Sequence, residues 1–164
     1  MTSSGTNTVA QRPLDGVEEI TLAPRTVVGL RETVAVNELS AFFTRAIPAV
    51  AAELARVGTR PAGAPVAVYR HEQGQQFDVT VGFPVDKAPD STDALVREEL
   101  PGGRAARAVH AGPYETLSET YAGLGRWFAE RKLTPPEVMW EEYLVGPESG
   151  DELAYRTRVV YPVR

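Results

Sequence analysis

The sequence contains no cysteine. Disulfides and thiolate metal sites are therefore excluded, and packing and hydrogen bonds must hold the fold. Histidine is almost absent: His71 and His110 stand alone, without metal-ligand spacing to each other or to a carboxylate cluster. No metal and no cofactor are expected. No apolar run approaches the roughly 20 residues that a membrane-spanning helix needs, so no membrane partner is expected. Phosphate-cradling glycine loops, the dinucleotide fingerprint, HExxH and GxSxG are missing too. Their absence removes the common nucleotide-dependent, zinc-dependent and serine-nucleophile chemistries. Basic residues are outnumbered, with 17 Lys and Arg against 22 Asp and Glu, a net charge of −5. Nucleic acid needs a basic face, so this balance argues against direct nucleic-acid binding and suits cationic ligands. The N-terminus lacks the apolar centre of a signal peptide. Residues 1–16 read as a disordered tail, and a cytoplasmic location is expected.

What is present is enough for one core. The 164 residues are 43% hydrophobic, and a domain near that size buries about 70% of its unfolded surface. Val17 to Leu22 and Thr26 to Val34 read as strands. Leu39, Phe42, Phe43, Ala46, Ile47, Val50 and Leu54 recur at helical spacing, with Asn37 as the expected N-cap, Pro48 inside and Gly58 at the end. Val66–Tyr69 and Phe77–Val85 form a hairpin about Gln73-Gly74-Gln75, and Asp86 to Asp93 is a polar linker. Leu95–Leu100 and Arg104–His110 are strands about Pro101-Gly102-Gly103. Leu117, Tyr121, Leu124 and Phe128 form a second helical stripe, and Thr116 and Glu119 have the spacing of a capping box. Met139–Val145 and Leu153–Pro162 close the chain as strands.

The second half repeats the first. Phe77–Val85 aligns with Tyr155–Val163 at an offset of 78, and the same offset carries Leu22 to Leu100 and Leu39 to Leu117. Each copy, about 17–85 and 95–163, reads strand–helix–strand–strand. The expected fold class is α+β: two duplicated modules joined in one antiparallel sheet, with two helices around a central pocket over residues 17–164.

Two adjacent carboxylates, Glu141 and Glu142, interrupt the apolar strand Met139-Trp140-Glu141-Glu142-Tyr143-Leu144-Val145. Neighbouring strand residues point to opposite faces. If both faces are covered, one carboxylate enters an apolar space and requires a partner, protein or ligand. Alternation alone slightly favours Glu142 as the buried acid, because it shares a face with Trp140 and Leu144. Tyr69, Phe83, Tyr114, Trp127, Trp140, Tyr143, Tyr155 and Tyr161 lie on the elements bracketing the expected cleft. Aromatic faces beside a carboxylate suit a flat organic cation. His110, just before a helix, reads as structural.

The duplication, His110-Ala-Gly-Pro-Tyr114, Trp140-Glu-Glu-Tyr-Leu144 and the closing Tyr161-Pro-Val163 resemble the GyrI-like family, the effector-binding domain of AraC- and MerR-type multidrug regulators. The resemblance runs from about Val17 to the end. It implies a pocket for bulky, often cationic, aromatic compounds, with the pocket glutamate at Glu141 and Tyr143 two residues on. Position 142 is more often hydrophobic in the family, so Glu142 is a departure, expected at the rim or on the outer sheet face. With Glu141 and Tyr143, the candidate ligand-binding residues are Tyr69, Phe83, Tyr114, Trp127 and Tyr155. Only about sixteen residues precede the first strand, so a stand-alone small-molecule-binding protein is expected, without the regulators' DNA-binding domain. Two alternatives follow from the resemblance. One is a hydrolase opening cyclopropanoid alkylating antibiotics, with Glu141 activating water and Tyr143 polarising a ketone. The other is a gyrase-inhibitor-type protein-binding role.

Overall fold

A computed structural model describes residues 16–89 and 94–164, with backbone alone at 71–73. The expected tail, up to residue 15, and residues 90–93 of the expected linker lie outside the described residues. The elements are β1 (Val17–Leu22), β2 (Arg25–Ala35), α1 (Leu39–Arg56), β3 (Val66–Gln73), β4 (Gln76–Val85), β5 (Val96–Leu100), β6 (Gly103–Ala111), α2 (Leu117–Glu130), β7 (Met139–Val145) and β8 (Arg156–Pro162). Each half runs strand–strand–helix–strand–strand, one strand more than the expected unit, and the fold is α+β. The last strand is shorter than its sequence pattern suggests, because Glu152–Ala154 forms a 3₁₀ turn ahead of it.

All eight strands form one sheet in the order β1-β6-β8-β7-β3-β4-β2-β5, and every pairing is antiparallel. The order has a consequence for shape. Only Ala23-Pro24 joins β1 to β2, and only Pro101-Gly102 joins β5 to β6. In a flat sheet each link would cross six strand spacings, roughly 29 Å. Two linking residues reach only about 10 Å. The sheet must therefore curl until its two ends meet. The links do touch there: a Cβ on Gly102 would lie 2.8 Å from Pro24 Cδ and 3.0 Å from the Leu22 carbonyl oxygen. Gly29 and Gly82, opposite each other in β2 and β4, let these backbones approach so closely that a Cβ would meet Val81 O at 2.3 Å or Val28 O at 2.0 Å.

Both helices pack on one face of the sheet. Phe42 and Ala46 of α1 cover Ala67, Val79 and Val81, and Val50 and Leu54 cover Val28 and Val85. Leu124, Trp127 and Phe128 of α2 cover Val17, Ala106, Ala108 and Val159. The other face carries its own cluster of Val27, Val66, Val68, Leu100, Ala105, Trp140 and Val160, enclosed by the curl.

The helix starts depart from the sequence reading. Asn37 does not cap α1, and Thr116 with Glu119 does not form a capping box. Each helix is entered through a 3₁₀ turn, and backbone takes the cap's place: Leu39 N–H donates to Val36 O and Leu117 N–H to Tyr114 O. The Thr116 hydroxyl instead donates to the Pro113 carbonyl. Pro48 lies inside α1, which runs on to Arg56. Both helices end in a Schellman pattern, with Gly58 N–H to Ala55 O and Thr59 N–H to Leu54 O after α1, and Lys132 N–H to Ala129 O and Leu133 N–H to Phe128 O after α2. The left-handed position is Gly58 (φ 77°) in the first and Lys132 (φ 56°) in the second.

Candidate functional site

β7 lies at the middle of the sheet, between β3 and β8. Register places Glu141 opposite Ala67 on one side and Val159 on the other. Ala67 belongs to the core under α1 and Val159 to the core under α2. Glu141 is therefore on the helix face, in the seam between the two helix-covered clusters. Glu142 points the other way, into the curl, beside Trp140. The faces separate the two carboxylates, yet both are buried, with exposures of 5% and 8%.

Their partners differ in kind. Glu142 accepts from Arg158, with Nε at 2.7 Å and Nη2 at 2.5 Å, and from Trp140 Nε1 at 3.2 Å. Its charge is met by a guanidinium. Glu141 accepts from the Tyr143 hydroxyl at 2.5 Å and from the Tyr121 hydroxyl. Tyr69 extends the cluster, its phenol near enough to Glu141 and Tyr143 to respond to both. Among the described residues no Lys or Arg pairs with Glu141. Burial pushes its carboxyl above the usual carboxylate range, and the two phenol hydrogen bonds pull back only in part. The phenols respond in turn: burial first, then the Glu141 charge, holds Tyr69, Tyr121 and Tyr143 well above the ordinary tyrosine value, and Tyr161 is pushed up to about 12. The arrangement is a buried carboxylate among neutral phenols. It can hold a cation by charge, or take a proton.

Around this centre, Phe43 of α1 packs on Tyr143 with ring centroids 5.8 Å apart. Tyr114 meets Tyr143 edge-on at 6.1 Å and lies over Tyr155 at 5.0 Å. Tyr114 sits on the 3₁₀ turn before α2 and is 40% exposed, whereas Tyr155 is buried. Side chains thus fill the place expected for the central pocket, and Tyr114 forms its outer wall. His110 anchors that wall: its ring bonds Thr120 Oγ1 at 2.9 Å, Thr116 Oγ1 at 2.9 Å and the Pro113 carbonyl at 3.0 Å. It is occupied structurally.

Of the candidate ligand-binding residues, Glu141, Tyr143, Tyr69, Tyr114 and Tyr155 come together. Trp127 and Phe83 do not. Trp127 stands six residues after Tyr121, about 240° round the helix, and packs on Phe128 at 5.4 Å beneath the Arg131 guanidinium. Phe83 lies opposite Val28 and packs with Val50 and Leu54 under the C-terminal half of α1. Tyr121 and Phe43, apolar stripe positions in the sequence, join the cluster, as does Tyr161, one of the aromatics bracketing the expected cleft, which packs on Tyr121 at 6.2 Å. The available signal was the Tyr121 hydroxyl, because a phenol on the buried stripe of a helix needs a hydrogen-bond partner.

The family model of the GyrI-like small molecule binding domain matches residues 16–164. The chain belongs to that family. Solved structures share the GyrI-like fold at low identity. The C-terminal domain of EcmrR is 19% identical with a TM-score of 0.77, covering 90% of this chain and 96% of that one. In the EcmrR–DNA complex, at 17% identity and a TM-score of 0.76, the match covers 99% of this chain but only 63% of the EcmrR chain. SAV2435 bound to tetraphenylphosphonium is 14% identical with a TM-score of 0.68, covering 90% and 93% of the two chains. A hydrolase from Listeria innocua is 15% identical with a TM-score of 0.59, covering 99% and 98%. No protein of curated function matches the sequence. No helix among the described residues is long and apolar enough to cross a membrane.

Proposed function

We propose that this GyrI-like domain binds bulky aromatic organic cations on its helix face, with Glu141 as the counter-charge and the surrounding tyrosines as stacking walls. One observation carries the reading: Glu141 is buried without a cationic partner among the described residues, whereas its neighbour Glu142 has one. A buried carboxylate left to phenols alone costs stability, and a ligand cation removes that cost. The tetraphenylphosphonium bound by the structurally similar SAV2435 supports the ligand class. Entry requires rings to move. Phe43 and Tyr114 close on Tyr143 from α1 and from the turn before α2, so a ligand displaces one of them and stacks in its place. The repeat of strand, helix and hairpin gives this site its position, and we read the halves, about 17–85 and 95–163, as copies of one ancestral unit meeting at β3 and β7.

The test is calorimetric titration of tetraphenylphosphonium and of neutral triphenylphosphine oxide against the wild type, Glu141→Gln and Glu142→Gln. Removing the Glu141 charge is expected to weaken the cation by about 2–5 kcal/mol and the neutral compound far less. Equal losses for the two compounds, or a larger loss at position 142, would overturn the assignment.

A second reading rests on the same groups. A carboxyl with raised pKa is suited to general-base work, and a phenol within 2.5 Å of it can polarise a carbonyl oxygen. The structural likeness to a Listeria innocua hydrolase keeps hydrolysis of a strained electrophile such as a cyclopropane in view. Mass analysis of the product separates the readings: water added to a cyclopropanoid substrate by the wild type but not by Glu141→Gln marks an enzyme, and unchanged substrate marks a binder.

A further inference from the structure

The curl that brings the ends of the sheet together also encloses space on the face opposite Glu141. A cleft of about 340 Å³ opens there, where β1 and the Ala23 link pass over the sheet. That volume is in the range of small-ligand sites. Ile20 and Leu22, both half-buried, form its open apolar wall, above Leu100, Trp140 and Val160, which are nearly fully covered.

The charges around this floor have the opposite sign to the protein as a whole. Arg25, Arg107 and Arg158 line the cleft with a single acid, Glu142, in a chain whose net charge is −5. Glu142 neutralises Arg158 at 2.5 Å, which leaves Arg25 and the more loosely paired Arg107 to set the local field. Among the described residues Arg107 is held only by Glu18, at 2.7 Å, and the Glu18 side chain is 57% exposed. Such a solvated pair is worth little and exchanges readily for another anion. Arg25 makes no ion pair among the described residues. An apolar group resting on Ile20 and Leu22 would therefore have Arg25, and Arg107 once Glu18 is displaced, within the same cleft, and a guanidinium fork matches a carboxylate.

We propose that this cleft is a second ligand site, distinct from the Glu141 seam, that takes small organic anions with a flat apolar body, an aromatic carboxylate being the simplest. The apolar body lies against Ile20 and Leu22, and the carboxylate reaches Arg25 and Arg107, displacing Glu18. One sheet then presents a negative site on its helix face and a positive one inside its curl, and the two select ligands of opposite charge.

The experiment uses one ring with three charges: 2-naphthoate, 2-naphthamide and 2-naphthylmethylammonium. Each is titrated by calorimetry, and by quenching of Trp140 fluorescence in a Trp127→Phe background. Naphthoate is expected to bind once per chain, quench Trp140, and bind at least about tenfold more tightly than the amide, the ratio that a charge-assisted contact supplies. Arg25→Glu and Arg107→Glu are each expected to remove most of that preference while leaving the amide unchanged. Arg25 is exposed and unpaired, so Arg25→Glu keeps the test valid should Arg107→Glu fold poorly. Equal binding of naphthoate and naphthamide, undiminished naphthoate binding in folded Arg25→Glu protein, or no saturable binding into the millimolar range would each refute the site. The result does not depend on the Glu141 reading, because naphthoate carries the wrong charge for that seam.

Discussion

Replacing Glu141 by Gln should make the ligand-free protein more stable at neutral pH. The carboxylate is 5% exposed, and its hydrogen-bond donors are two neutral phenols, Tyr121 and Tyr143. Taking an ion this far from water costs several kcal/mol even after relaxation, and two charge-assisted hydrogen bonds return about 1.5–3 kcal/mol each. Gln keeps the shape and keeps both contacts in neutral form, with its oxygen accepting from one phenol and its amide donating to the other. The desolvation cost of the ion disappears. The expected balance is a gain on the order of 1–3 kcal/mol. For a chain of this size that is a rise in melting temperature of roughly 2–10 °C.

The pH dependence fixes the cause. Burial raises the Glu141 carboxyl above its ordinary value of 4.5, so the folded state holds this proton more tightly than the unfolded chain. A group of this kind contributes its stability fully below the unfolded pKa and loses it as pH rises through the raised folded value. Wild type should therefore gain on Glu141→Gln as pH falls from neutral through that window, and the difference between them should shrink. Chemical denaturation of both proteins at several pH values between 7.5 and 5 measures it. A variant less stable than wild type at pH 7.5, or a difference that does not change with pH, would show that Glu141 is not an uncompensated buried charge.

The same linkage predicts that an organic cation bound at Glu141 releases a proton at mildly acidic pH, and that its affinity falls toward tenfold per pH unit below the raised pKa; calorimetry in buffers of different ionisation enthalpy counts the protons. Lys132→Gly should stabilise the protein by about 0.5–1 kcal/mol, because glycine relieves the left-handed backbone that Gly58 occupies freely at the end of α1, and a melting curve detects it. Gly82→Ala should destabilise by about 3 kcal/mol or more, since its Cβ would sit 2.0 Å from a backbone oxygen that cannot swing away; denaturant unfolding is the check. Glu142→Gln should destabilise by about 1–3 kcal/mol by leaving the half-buried Arg158 without its carboxylate, the opposite sign to Glu141→Gln in the same assay.

Helical periodicity and hairpin chemistry are local, and they locate both helices and six of the strands to within a residue or two, while β3 runs four residues beyond the expected Tyr69, to Gln73. The last, β8, starts later than its pattern because Glu152–Ala154 spends its backbone on a 3₁₀ turn. The sheet order was not legible. β1 and β5 each pair with the half of the chain to which they do not belong, and nothing within Val17–Leu22 or Val96–Leu100 encodes a partner some 80 residues away. The helix caps were misread for a related reason. Asn37 and Thr116 have capping side chains, but a 3₁₀ turn satisfies the same backbone groups first. At the site, period-two alternation showed that Glu141 and Glu142 face apart without showing which face the helices cover. Both faces are apolar, so the choice needed the register that sets Glu141 beside Ala67 and Val159. Trp127 and Phe83 looked like pocket aromatics because element membership was known and helix angle and strand position were not.

Adjacent glutamates in one strand are chemically equivalent in sequence, and the fold makes them different by what it puts opposite each. Across β7 and β8, Glu142 is paired with Arg158 and Glu141 with Val159, so a single step along β8 decides which acid is neutralised. The acid that meets arginine becomes part of the scaffold: its charge is spent internally, and changing it strands a guanidinium. The acid that meets valine keeps its charge unspent in a place where water cannot solvate it. Evolution toward stability alone would remove such a group, since a Gln or an apolar residue there is expected to fold better. On the function proposed above, that cost is what a ligand site at Glu141 would carry, and the tyrosines would set its selectivity. They donate enough to keep the carboxylate ionisable, as neutral groups they do not cancel it, and their faces are free to stack once Phe43 or Tyr114 moves aside. A cation with aromatic surface satisfies all of these groups together, whereas an anion or a small hydrated ion satisfies at most one.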